Sequence, residues 1–537
     1  MSAIPQSAFR SSAPAANARS VIFASSLGTV FEWYDFYLYA TLAPFFAALF
    51  FPSGNDTAAL LSAFATYAAG FVVRPFGALV FGGIGDRVGR KFTFLVTITI
   101  MGASTFLVGL LPTYDQIGLA APALLVALRL VQGLALGGEY GGAATFVGEH
   151  AAQNRRGRAT GWIQTTATLG FLLSLLVIGG CRVALDARAF ADWGWRVPFL
   201  VSVLLLLFSL TMRLRLQESP IFQKMKAAGR VSRAPLTESF LRYPNNLYVL
   251  MALFGATAGQ GVVWYTGQFY ALFFLTITLK VEYLTAYALV GAALLLATPF
   301  FVVFGRLSDR FGRLQIIMVG CLLAALTYLP IFHGLAHFAN PALERYSAEH
   351  PITITATDCH THVFVLPGTR FSDCDRARDF FTKSGLSFRF QSAAAGSPVR
   401  ARVGELRLEG WSEPAYRSAL QSTGYPVAAD PRQIDYPMVL LLLFALVLLV
   451  TMVYGPMAAY LVELFPTRIR YTSMSLPYHI GNGWFGGMLP LLATALAASS
   501  GNIYEGLWYP VVVAMLTVLF SLLFMLEAKE HKIADDF

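Results

Sequence analysis

Four charged side chains lie inside long apolar stretches of the sequence. Glu32 and Asp35 are three residues apart in one stretch, while Arg74 and Arg129 belong to two later stretches. At about 1.5 Å per helical residue, counted from the end of each stretch, all four fall at a similar depth. A buried carboxylate gains or loses a proton when a neighbouring arginine moves, and a freed arginine attracts an anion. We therefore expect proton-linked anion chemistry at this depth, and Glu139, which is expected nearer the cytoplasm, is a third candidate acid for carrying the proton.

Neutral polar and aromatic side chains in the apolar stretches are predicted to complete a site for a small polar solute. Amide and aromatic groups that face a common cavity hold such a solute by hydrogen bonds and ring contacts. Besides Arg74 and Arg129, the predicted solute-binding residues are Gln132, Gln164, Gln260, Trp264, Tyr265, Gln268, Tyr478, His479 and Asn482.

Each of these groups also has a purely structural interpretation. Glu32 or Asp35 can form a fixed ion pair with an arginine of a neighbouring helix. The amides can hydrogen-bond only between helices, Trp264 and Tyr265 can face lipid or the core, and His479 can be a satisfied interhelical histidine. Because charge inside an apolar stretch is costly, we favour a functional role for the acids and arginines.

A short turn rich in glycine and charge follows the second apolar stretch and returns later in the chain. The first copy covers residues 82–91 and the weaker second copy covers residues 305–313. One copy alone would equally fit an ordinary basic loop, but two copies in equivalent places indicate a duplicated helical membrane protein. A second repeated pattern, an acid followed by arginines, begins at Glu149 and at Glu463.

These repeated segments are predicted to form a latch that closes one end of a helix bundle. Glycine permits close helix approach, and an aspartate at a helix end accepts hydrogen bonds. The predicted latch residues are Gly82, Asp86, Arg87, Gly89, Arg90, Glu149, Arg158, Asp309, Arg310, Arg313, Glu463 and Arg468.

The composition indicates a protein that crosses a membrane many times. Of the 537 residues, 56% are hydrophobic and 13% are charged, whereas a soluble domain carries about 25% charged residues. The net charge of +9 lies in short loops between apolar stretches, which argues against a nucleic-acid partner. Twelve stretches are near or above the roughly 20 residues that a helix needs to span a bilayer. They cover about residues 21–50, 57–85, 92–112, 117–147, 158–180, 194–215, 246–277, 283–307, 314–338, 437–463, 470–500 and 506–527.

Lysine and arginine are distributed unevenly between alternate loops. With the N-terminus in the cytoplasm, the short outer loops contain only Arg182, Arg188, Arg196 and Lys280, and the inner segments are much more basic. The positive-inside rule therefore predicts that both termini are cytoplasmic. The first apolar stretch lacks a cleavage pattern, so we interpret it as a retained span and not as a signal peptide.

The repeats divide the chain into two six-helix halves. The interval between the repeated motifs is longer in the second half by about the length of one polar segment, which is therefore an insertion on the outer side. The predicted units are cytoplasmic tails at 1–20 and 528–537, halves at 21–215 and at 246–338 with 435–527, a cytoplasmic linker at 216–245 and the insertion at 339–434.

The insertion is predicted to be a small α+β subdomain. Strand-like alternation runs through residues 352–363 and 399–408, and a helical pattern covers residues 373–383. The fold class is thus an all-α polytopic membrane protein with a small extracytoplasmic α+β insertion.

Two cysteines of the insertion allow two interpretations. Cys359 and Cys374 can form a disulfide, because the outer compartment is oxidising. The alternative is a metal site with His360 and His362, but that spacing is not a standard one for zinc. We predict no metal and no cofactor, and the sequence shows no nucleophile–base set that would suggest an enzyme.

The motifs resemble those of the major facilitator superfamily. Residues 82–91, echoed at 305–313, are similar to its signature after the second helix, and residues 129–133 are similar to its fourth-helix signature associated with proton coupling. Segments similar to the metabolite:proton symporter family within it are residues 31–36, 71–77, 137–140, 194–199 and 463–467. The resemblance implies alternating access around a cavity between the two halves, with solute and proton moving together across a bacterial inner membrane.

The prediction is a proton-coupled uptake transporter for a small organic acid, such as α-ketoglutarate, citrate or a shikimate-like acid. The proton gradient supplies the energy, and the expected partners are the organic anion, protons and the lipid bilayer, with the protein as a monomer. One alternative is a proline- or betaine-type osmolyte symporter. The other is a membrane receptor that binds solute with its outer subdomain and does not transport.

Overall fold

The computed structural model of the protein describes residues 18–51, 56–151, 153–214, 220–357, 359–362, 369–394 and 397–524. The predicted tail at 528–537 and most of the tail at 1–20 lie outside the described residues. So do the side chains of Glu32 and Arg90, although both residues belong to described helices.

Helices dominate the described chain. Those of the first half are α1 Ala18–Phe50, α2 Asp56–Val72, α3 Arg74–Arg87, α4 Arg90–Leu110, α5 Tyr114–Ile117, α6 Ala120–Leu136, α7 Glu139–His150, α8 Arg156–Ala184, α9 Ala187–Asp192 and α10 Val197–Leu214. The linker contains α11 Pro220–Ala227 and α12 Pro235–Phe240.

The second half contains the insertion between its third and fourth rods. Before the insertion come α13 Asn245–Ala252, α14 Ala258–Tyr265, α15 Ala271–Phe273, α16 Tyr283–Ala297, α17 Pro299–Phe311 and α18 Arg313–Ala339; α13, α14 and α15 are joined into one rod by π-helical turns. The insertion contains α19 Pro341–Glu349, α20 Asp373–Lys383 and α21 Glu413–Ser422, and after it come α22 Tyr436–Tyr454, α23 Met457–Leu464, α24 Arg470–His479, α25 Leu489–Ser500 and α26 Trp508–Phe524.

The predicted all-α membrane architecture is confirmed, but the count of twelve spans is only partly supported. Within the described residues, ten helical rods are long and apolar enough to cross a membrane. The two others are α1, which is 33 residues long, and the α24–α25 rod. That second rod is less apolar because it carries polar groups such as Arg470, Thr472 and His479. The spanning role of these two rods therefore stays a prediction.

Two kinks in the first half bring charged residues to the centre of the bundle. The α2–α3 rod bends where Arg74 is followed by Pro75, whose ring removes a backbone N–H that a continuous helix uses. The α6–α7 rod bends at a glycine pair, after which Glu139 begins α7. The two rods touch backbone to backbone, since a Cβ at Gly137 would overlap the Arg74 carbonyl oxygen. Arg74 and Glu139 therefore begin neighbouring helical segments.

The two ends of the bundle differ in character. At one end, Gly89 joins α3 to α4 with φ 144°, and Gly312 joins α17 to α18 with φ 112°. Both φ values lie in the range that glycine adopts without strain, so the repeated turn depends on glycine at these positions. We call this end the signature end and the opposite end, from which the insertion emerges, the insertion end.

The insertion is a two-layer α/β unit. Its sheet contains β1 Ile352–Ala356, β2 Phe388–Ser392, β3 Arg400–Val403 and β4 Leu406–Glu409, in the order β2-β1-β3-β4. The β1–β2 pair is parallel, with α20 as the crossover, and the other pairs are antiparallel. Apolar side chains of α19, α20 and α21 pack on one face of the sheet.

Both strand predictions for the insertion differ from the structure. The run expected at 399–408 is two antiparallel strands, β3 and β4, with a turn between them. The strand expected at 352–363 ends at Ala356, because the chain then turns towards the start of α20. There the His360 N–H donates to Asp375 at 2.6 Å. Cys359 and Cys374 are joined as a disulfide at the same place, with their Cα atoms 5.2 Å apart.

The insertion docks firmly on the second half. The Phe388 N–H donates to the Gly501 carbonyl at 2.7 Å, and the Arg378 guanidinium donates to the Ala498 carbonyl at 2.7 Å. Helix α20 also contacts α2 of the first half. A unit that the chain attaches only to the second half thus reaches across to the first half.

Candidate functional site

A small cavity, with charged and hydroxyl groups among its lining residues, lies between the two halves at the level of the kinks. Its volume is about 30 Å³, which is roughly enough for one water molecule. Arg74, Glu139 and Gln164 line it from the first half, and Tyr478 and His479 line it from the second. Five residues that the sequence assigned to proton or solute binding therefore meet in one place.

The charged groups of this cavity are not fully satisfied by the described protein groups. Both carboxylate oxygens of Glu139 and the Nε of Arg74 are buried without a hydrogen-bond partner among them. The Arg74 guanidinium instead lies over the rings of Phe71 and Phe36, at 3.9 and 4.7 Å from their centroids. Both ring nitrogens of His479 also lack a partner within the described residues. Such a set is available to an incoming polar ligand.

Asp35 is buried close to this cavity without taking part in an ion pair within the described chain. Its Oδ1 has no hydrogen-bond partner there, and Glu139 is close enough to interact with it electrostatically. The fixed ion pair between Asp35 and an arginine is therefore not the arrangement that the structure has. Two acids and Arg74 form one interacting group.

Arg129 lies in a separate small pocket of the first half. Its guanidinium sits 3.6 Å from the centroid of the Tyr39 ring and donates to Gln132. Gln132 in turn donates to Thr105 at 2.7 Å. Arg129 and Gln132 line this pocket of about 10 Å³ together with Arg74, and every residue that lines it belongs to the first half.

Two hydrogen-bonded pairs with equivalent positions in the two halves meet beside the cavity. Gln164 donates to the Tyr140 hydroxyl at 2.9 Å, and the Tyr454 and Tyr478 hydroxyls are 2.8 Å apart. The rings of Tyr140 and Tyr478 stack with centroids 3.5 Å apart, which joins the two pairs. Tyr140, Tyr454 and Trp33 line the cavity but were missed from the sequence, because buried aromatics are common in any apolar stretch.

Four other predicted solute-binding residues do not line this cavity. Gln260 and Asn482 are bonded to each other, at 2.8 and 3.1 Å, so their amides hold two rods of the second half together. Trp264 packs against Trp33 with ring centroids 5.5 Å apart. Tyr265 lies against Phe71.

Gln268 is also separate from the cavity. Its amide is buried on a π-helical turn and has no hydrogen-bond partner in the described chain.

At the signature end, each repeated aspartate caps a helix of the opposite half. Asp309 accepts from the backbone N–H groups of Gly157 and Arg158, both at 2.9 Å, in the first turn of α8. Asp86 accepts from the N–H and the hydroxyl of Thr472, at 2.9 and 2.7 Å, in the first turn of α24. A carboxylate at a helix N-terminus is favoured by the unpaired N–H groups and the helix dipole.

Two ion pairs also cross between the halves at this end, and they are related by the repeat. Glu149 lies 3.0 Å from Arg470, and Arg156 lies 3.0 Å from Glu463. Arg313 joins the second pair at 3.2 Å from Glu463. All five side chains are buried, at 7% exposure or less. The signature end is therefore closed in this conformation.

The arginines of the latch differ in part from the predicted set. Arg468 binds Glu238 of the linker at 3.0 Å, and Arg158 contributes its backbone N–H to Asp309 while its side chain is exposed. The arginines whose ion pairs cross between the halves are Arg156 and Arg470, which the predicted set omitted, whereas Arg313 was predicted and pairs with Glu463. The identical spacing from Glu149 to Arg156 and from Glu463 to Arg470 was the available signal.

Two further latch predictions fall on arginines near the repeated turns. Arg87 is exposed, and the Arg310 guanidinium lies 5.6 Å from the centroid of the Phe311 ring. Gly82 approaches the Thr472 backbone closely, since a Cβ there would lie 3.1 Å from its Cα.

A much larger cavity of about 450 Å³ lies at the insertion end. It is bounded by α1 and α2 of the first half, by the end of the α13–α15 rod and by residues of the insertion. As for metals, the part of the chain that the structure describes contains no cluster of three or more His, Cys, Asp or Glu side chains suited to holding an ion.

Comparison with known proteins gives consistent results. A model of the Major Facilitator Superfamily matches residues 25–340. The shikimate transporter of Escherichia coli K12 is 36% identical over 393 residues, covering 72% of this chain and 85% of that protein. The α-ketoglutarate permease of the same organism is 35% identical over 322 residues, covering 60% and 72%. Its proline/betaine transporter is 34% identical over 325 residues, covering 58% and 64%.

Solved structures show the same fold. The proton:xylose symporter XylE, bound to 6-bromo-6-deoxy-D-glucose, superposes with a TM-score of 0.61 over 97% of this chain and 98% of that one. The identity is 16%, so this likeness concerns the fold alone.

Proposed function

The chain belongs to the major facilitator superfamily, and from that premise we propose that it takes up a small organic acid together with a proton. It is a multi-pass secondary transporter of small metabolites and not an enzyme. The receptor interpretation is therefore dropped. The observation that carries the finer proposal is the cavity between the halves, which Arg74 and Glu139 both line with polar atoms that have no hydrogen-bond partner among the described residues.

Arg74 is the anion-binding group of the proposal. Its Nε is free of protein partners among the described residues, and a guanidinium binds a carboxylate through paired N–H groups. The cavity holds about one water at 30 Å³, so the acid enters only when the halves separate at the insertion end. Among the relatives, one is a shikimate transporter and one an α-ketoglutarate permease, and both names denote carboxylates.

Proton coupling follows from competition for Arg74. In the empty site, Arg74 is the cationic neighbour of Glu139. A substrate carboxylate that binds Arg74 removes this compensation, and Glu139 then takes up a proton. Asp35, the electrostatic neighbour of Glu139, is the second acid through which the proton passes. The proton gradient supplies the energy, and no cofactor is part of the proposal.

The proposed orientation places the signature end in the cytoplasm of a bacterium. The basic residues of the linker and of the repeated turns are at that end, as the positive-inside rule requires. The protein is then an inner-membrane monomer with both termini cytoplasmic and the insertion outside.

A zwitterionic osmolyte is the second candidate substrate. Trp33, Tyr140, Tyr454 and Tyr478 line the same cavity, and aromatic rings bind quaternary ammonium groups. The relative at 34% identity is a proline/betaine transporter. An osmolyte held by these rings does not need to displace Arg74 from Glu139. Its uptake should therefore depend less on Arg74 than the uptake of an organic acid does.

Uptake by proteoliposomes tests the proposal directly. The labelled panel is α-ketoglutarate, citrate, succinate, shikimate, benzoate, proline and betaine, each with and without an inward proton gradient. We expect uptake of an acid that is stimulated by the gradient and lost in Arg74→Gln. Uptake of proline or betaine alone would replace the proposal by the second candidate, and gradient-independent uptake would remove proton coupling.

A further inference from the structure

We propose that the cavity at the insertion end binds a monocarboxylate with a ring-sized apolar body, and that Lys280 holds its carboxylate. The inference rests on the proposed function, because it names the class of acid and the place where the acid is first held. It also assigns a role to the insertion, which supplies one wall of the cavity.

The cavity has the size and shelter of a small-molecule site. Its volume of about 450 Å³ lies within the range of about 300–1,000 Å³ typical of ligand pockets. Both halves and the insertion contribute to it: Ala47 and Leu60 from the first half, Phe273 from the second, and Leu386 and Phe388 from the insertion. A molecule bound here therefore touches every unit that moves in a transport cycle.

Lys280 is the cation that the structure fixes at the wall of this cavity. It has φ 58°, and no other described residue except glycine has a positive φ. Such a conformation is unfavourable for a residue other than glycine and persists only where its surroundings impose it. Here the Lys280 ammonium donates to the Lys383 carbonyl of the insertion, and its own carbonyl accepts from the Ala429 N–H at 3.1 Å. The insertion thus holds Lys280 by two hydrogen bonds, one to its side chain and one to its backbone.

The electrostatics of Lys280 favour an anion as its ligand. Burial and the neighbouring Lys383 lower the pKa of Lys280 to about 8, which means that its positive charge is poorly compensated. One donor of the ammonium is used on the Lys383 carbonyl, and an ammonium has three. A carboxylate in the cavity would both accept a hydrogen bond and supply the missing charge.

The rest of the lining selects the body of the ligand. Aromatic rings of Tyr270, Phe273, Phe274 and Phe388 belong to the apolar wall, and the polar side chains include threonines such as Thr276. The two lysines of the lining, Lys280 and Lys383, are neighbours. Burying a ring against the apolar wall away from them is favourable, whereas a carboxylate placed there would be buried without a cation. The class indicated is a ring with its carboxylate at one end, and a tricarboxylate with charges on several sides fits poorly.

Equilibrium binding of labelled benzoate to the full-length protein in detergent tests this site. The main variant is Lys280→Asn, because asparagine tolerates positive φ and removes the charge. The matched control is Arg188→Asn, an exposed arginine of the insertion end that pairs with Asp192. We expect at least about a tenfold loss of benzoate affinity in Lys280→Asn and none in the control. Benzamide and citrate should compete poorly.

A second variant tests the site independently, so that the test remains decisive even when Lys280→Asn does not fold. Thr494→Trp places a large ring into the cavity and leaves Lys280 intact, and it should also abolish benzoate binding. Benzoate binding that equals wild type in a folded variant of either kind overturns the proposed site.

Uptake of the acid panel, measured in parallel, separates the two proposals. Acid uptake by the wild type with unaltered benzoate binding in the variants overturns the site and leaves the transport function. Benzoate binding that depends on Lys280, without uptake of any acid, supports the site and overturns the proposed transport of acids.

Discussion

The Glu149 carboxylate of the first half lies 3.0 Å from the Arg470 guanidinium of the second half, and both side chains are at most 1% exposed. Arg156 and Glu463 make the same contact with the halves exchanged. A buried charge that loses its partner is costly. Opening of the signature end must therefore break both contacts and rehydrate four charges together, which makes closure cooperative.

Removing one charge of the latch should open the signature end. Glu149→Gln removes the carboxylate that lies 3.0 Å from the buried Arg470 guanidinium, and the loss of one partner of a buried pair costs about 3–5 kcal/mol. The closed conformation is weakened by this amount. We expect faster alkylation of a cysteine introduced at Ser475, which lies on α24 and is buried against Gly141 of α7, in a variant lacking Cys181 and Cys321.

The matched control for this experiment is an exposed ion pair. Glu413 and Arg417 are 2.6 Å apart on the insertion, with more than half of each side chain exposed, and such pairs contribute about 0–1 kcal/mol. Glu413→Gln should leave the alkylation rate unchanged. Equal rates in wild type and Glu149→Gln would contradict the role of the latch.

A methyl group at Gly157 should prevent closure of the signature end. Its Cβ would overlap the Gly305 carbonyl oxygen of the opposite half, and overpacking of this kind costs about 1–3 kcal/mol. Gly157→Ala should reduce the maximal uptake rate about tenfold and speed alkylation at Ser475. A Cβ at Gly180 in the same helix would meet no described atom within 4 Å, so Gly180→Ala should transport normally. Normal uptake in Gly157→Ala would show that the close contact is dispensable.

Glu139 and Asp35 should control proton coupling and not substrate binding. Under the proposed mechanism, Glu139→Gln and Asp35→Asn remove proton carriers while leaving Arg74 to bind the substrate. Both variants should lose accumulation driven by a proton gradient and keep exchange of labelled for unlabelled substrate. Measuring the two modes in the same proteoliposomes checks this. Gradient stimulation that survives in both variants would exclude these acids from coupling.

Arg74 and Arg129 should respond differently to a conservative change. Lysine keeps the charge but cannot bind a carboxylate through two parallel N–H groups. Arg74→Lys should therefore raise the KM for the acid by roughly tenfold, since a hydrogen bond to a charged group contributes about 1.5–3 kcal/mol. Arg129 stacks on Tyr39 within the first half, so Arg129→Lys should lower the Tm with a smaller effect on KM. The reverse pattern would exchange their roles.

Benzoate binding should weaken as the pH rises through about 8. The pKa of Lys280 is lowered to about 8 by burial and by Lys383, so the ammonium is charged below this pH and neutral above it. Benzoate remains an anion throughout, and its affinity should be highest below pH 8 and fall above it. A bound anion favours the charged amine, which moves the fall to a somewhat higher pH. Lys280→Asn should give a weak and flat profile from pH 6 to pH 10.

Much of the fold follows from the sequence, but the pairing across the halves does not. Hydropathy predicts the rods, and the repeated spacing predicts two similar halves. The sequence also singles out Asp86 and Asp309, because charge and glycine are rare in apolar stretches. Their partners at Thr472 and Gly157 depend on how the halves pack, and no local pattern encodes a contact between residues so far apart in the chain.

The central site shows the same limit. Counting residues from the helix ends places Arg74 and Arg129 at one depth in the bundle. The count does not tell which way each side chain points. The kink at Pro75 turns Arg74 towards the second half, whereas Arg129 is directed into the first half by its contacts with Tyr39 and Gln132. The choice between them is made by helix rotation and local packing.

The position of the insertion allows the separation of the two halves to be followed from outside the membrane. The chain joins it to the second half alone, yet α20 rests on α2 of the first half beside Ala58 and Leu61. Any separation of the halves at this end must change the distance across that seam. A pair of fluorophores placed on either side of it would report each opening from the aqueous phase, so turnover of single molecules becomes visible without labelling the membrane-embedded core.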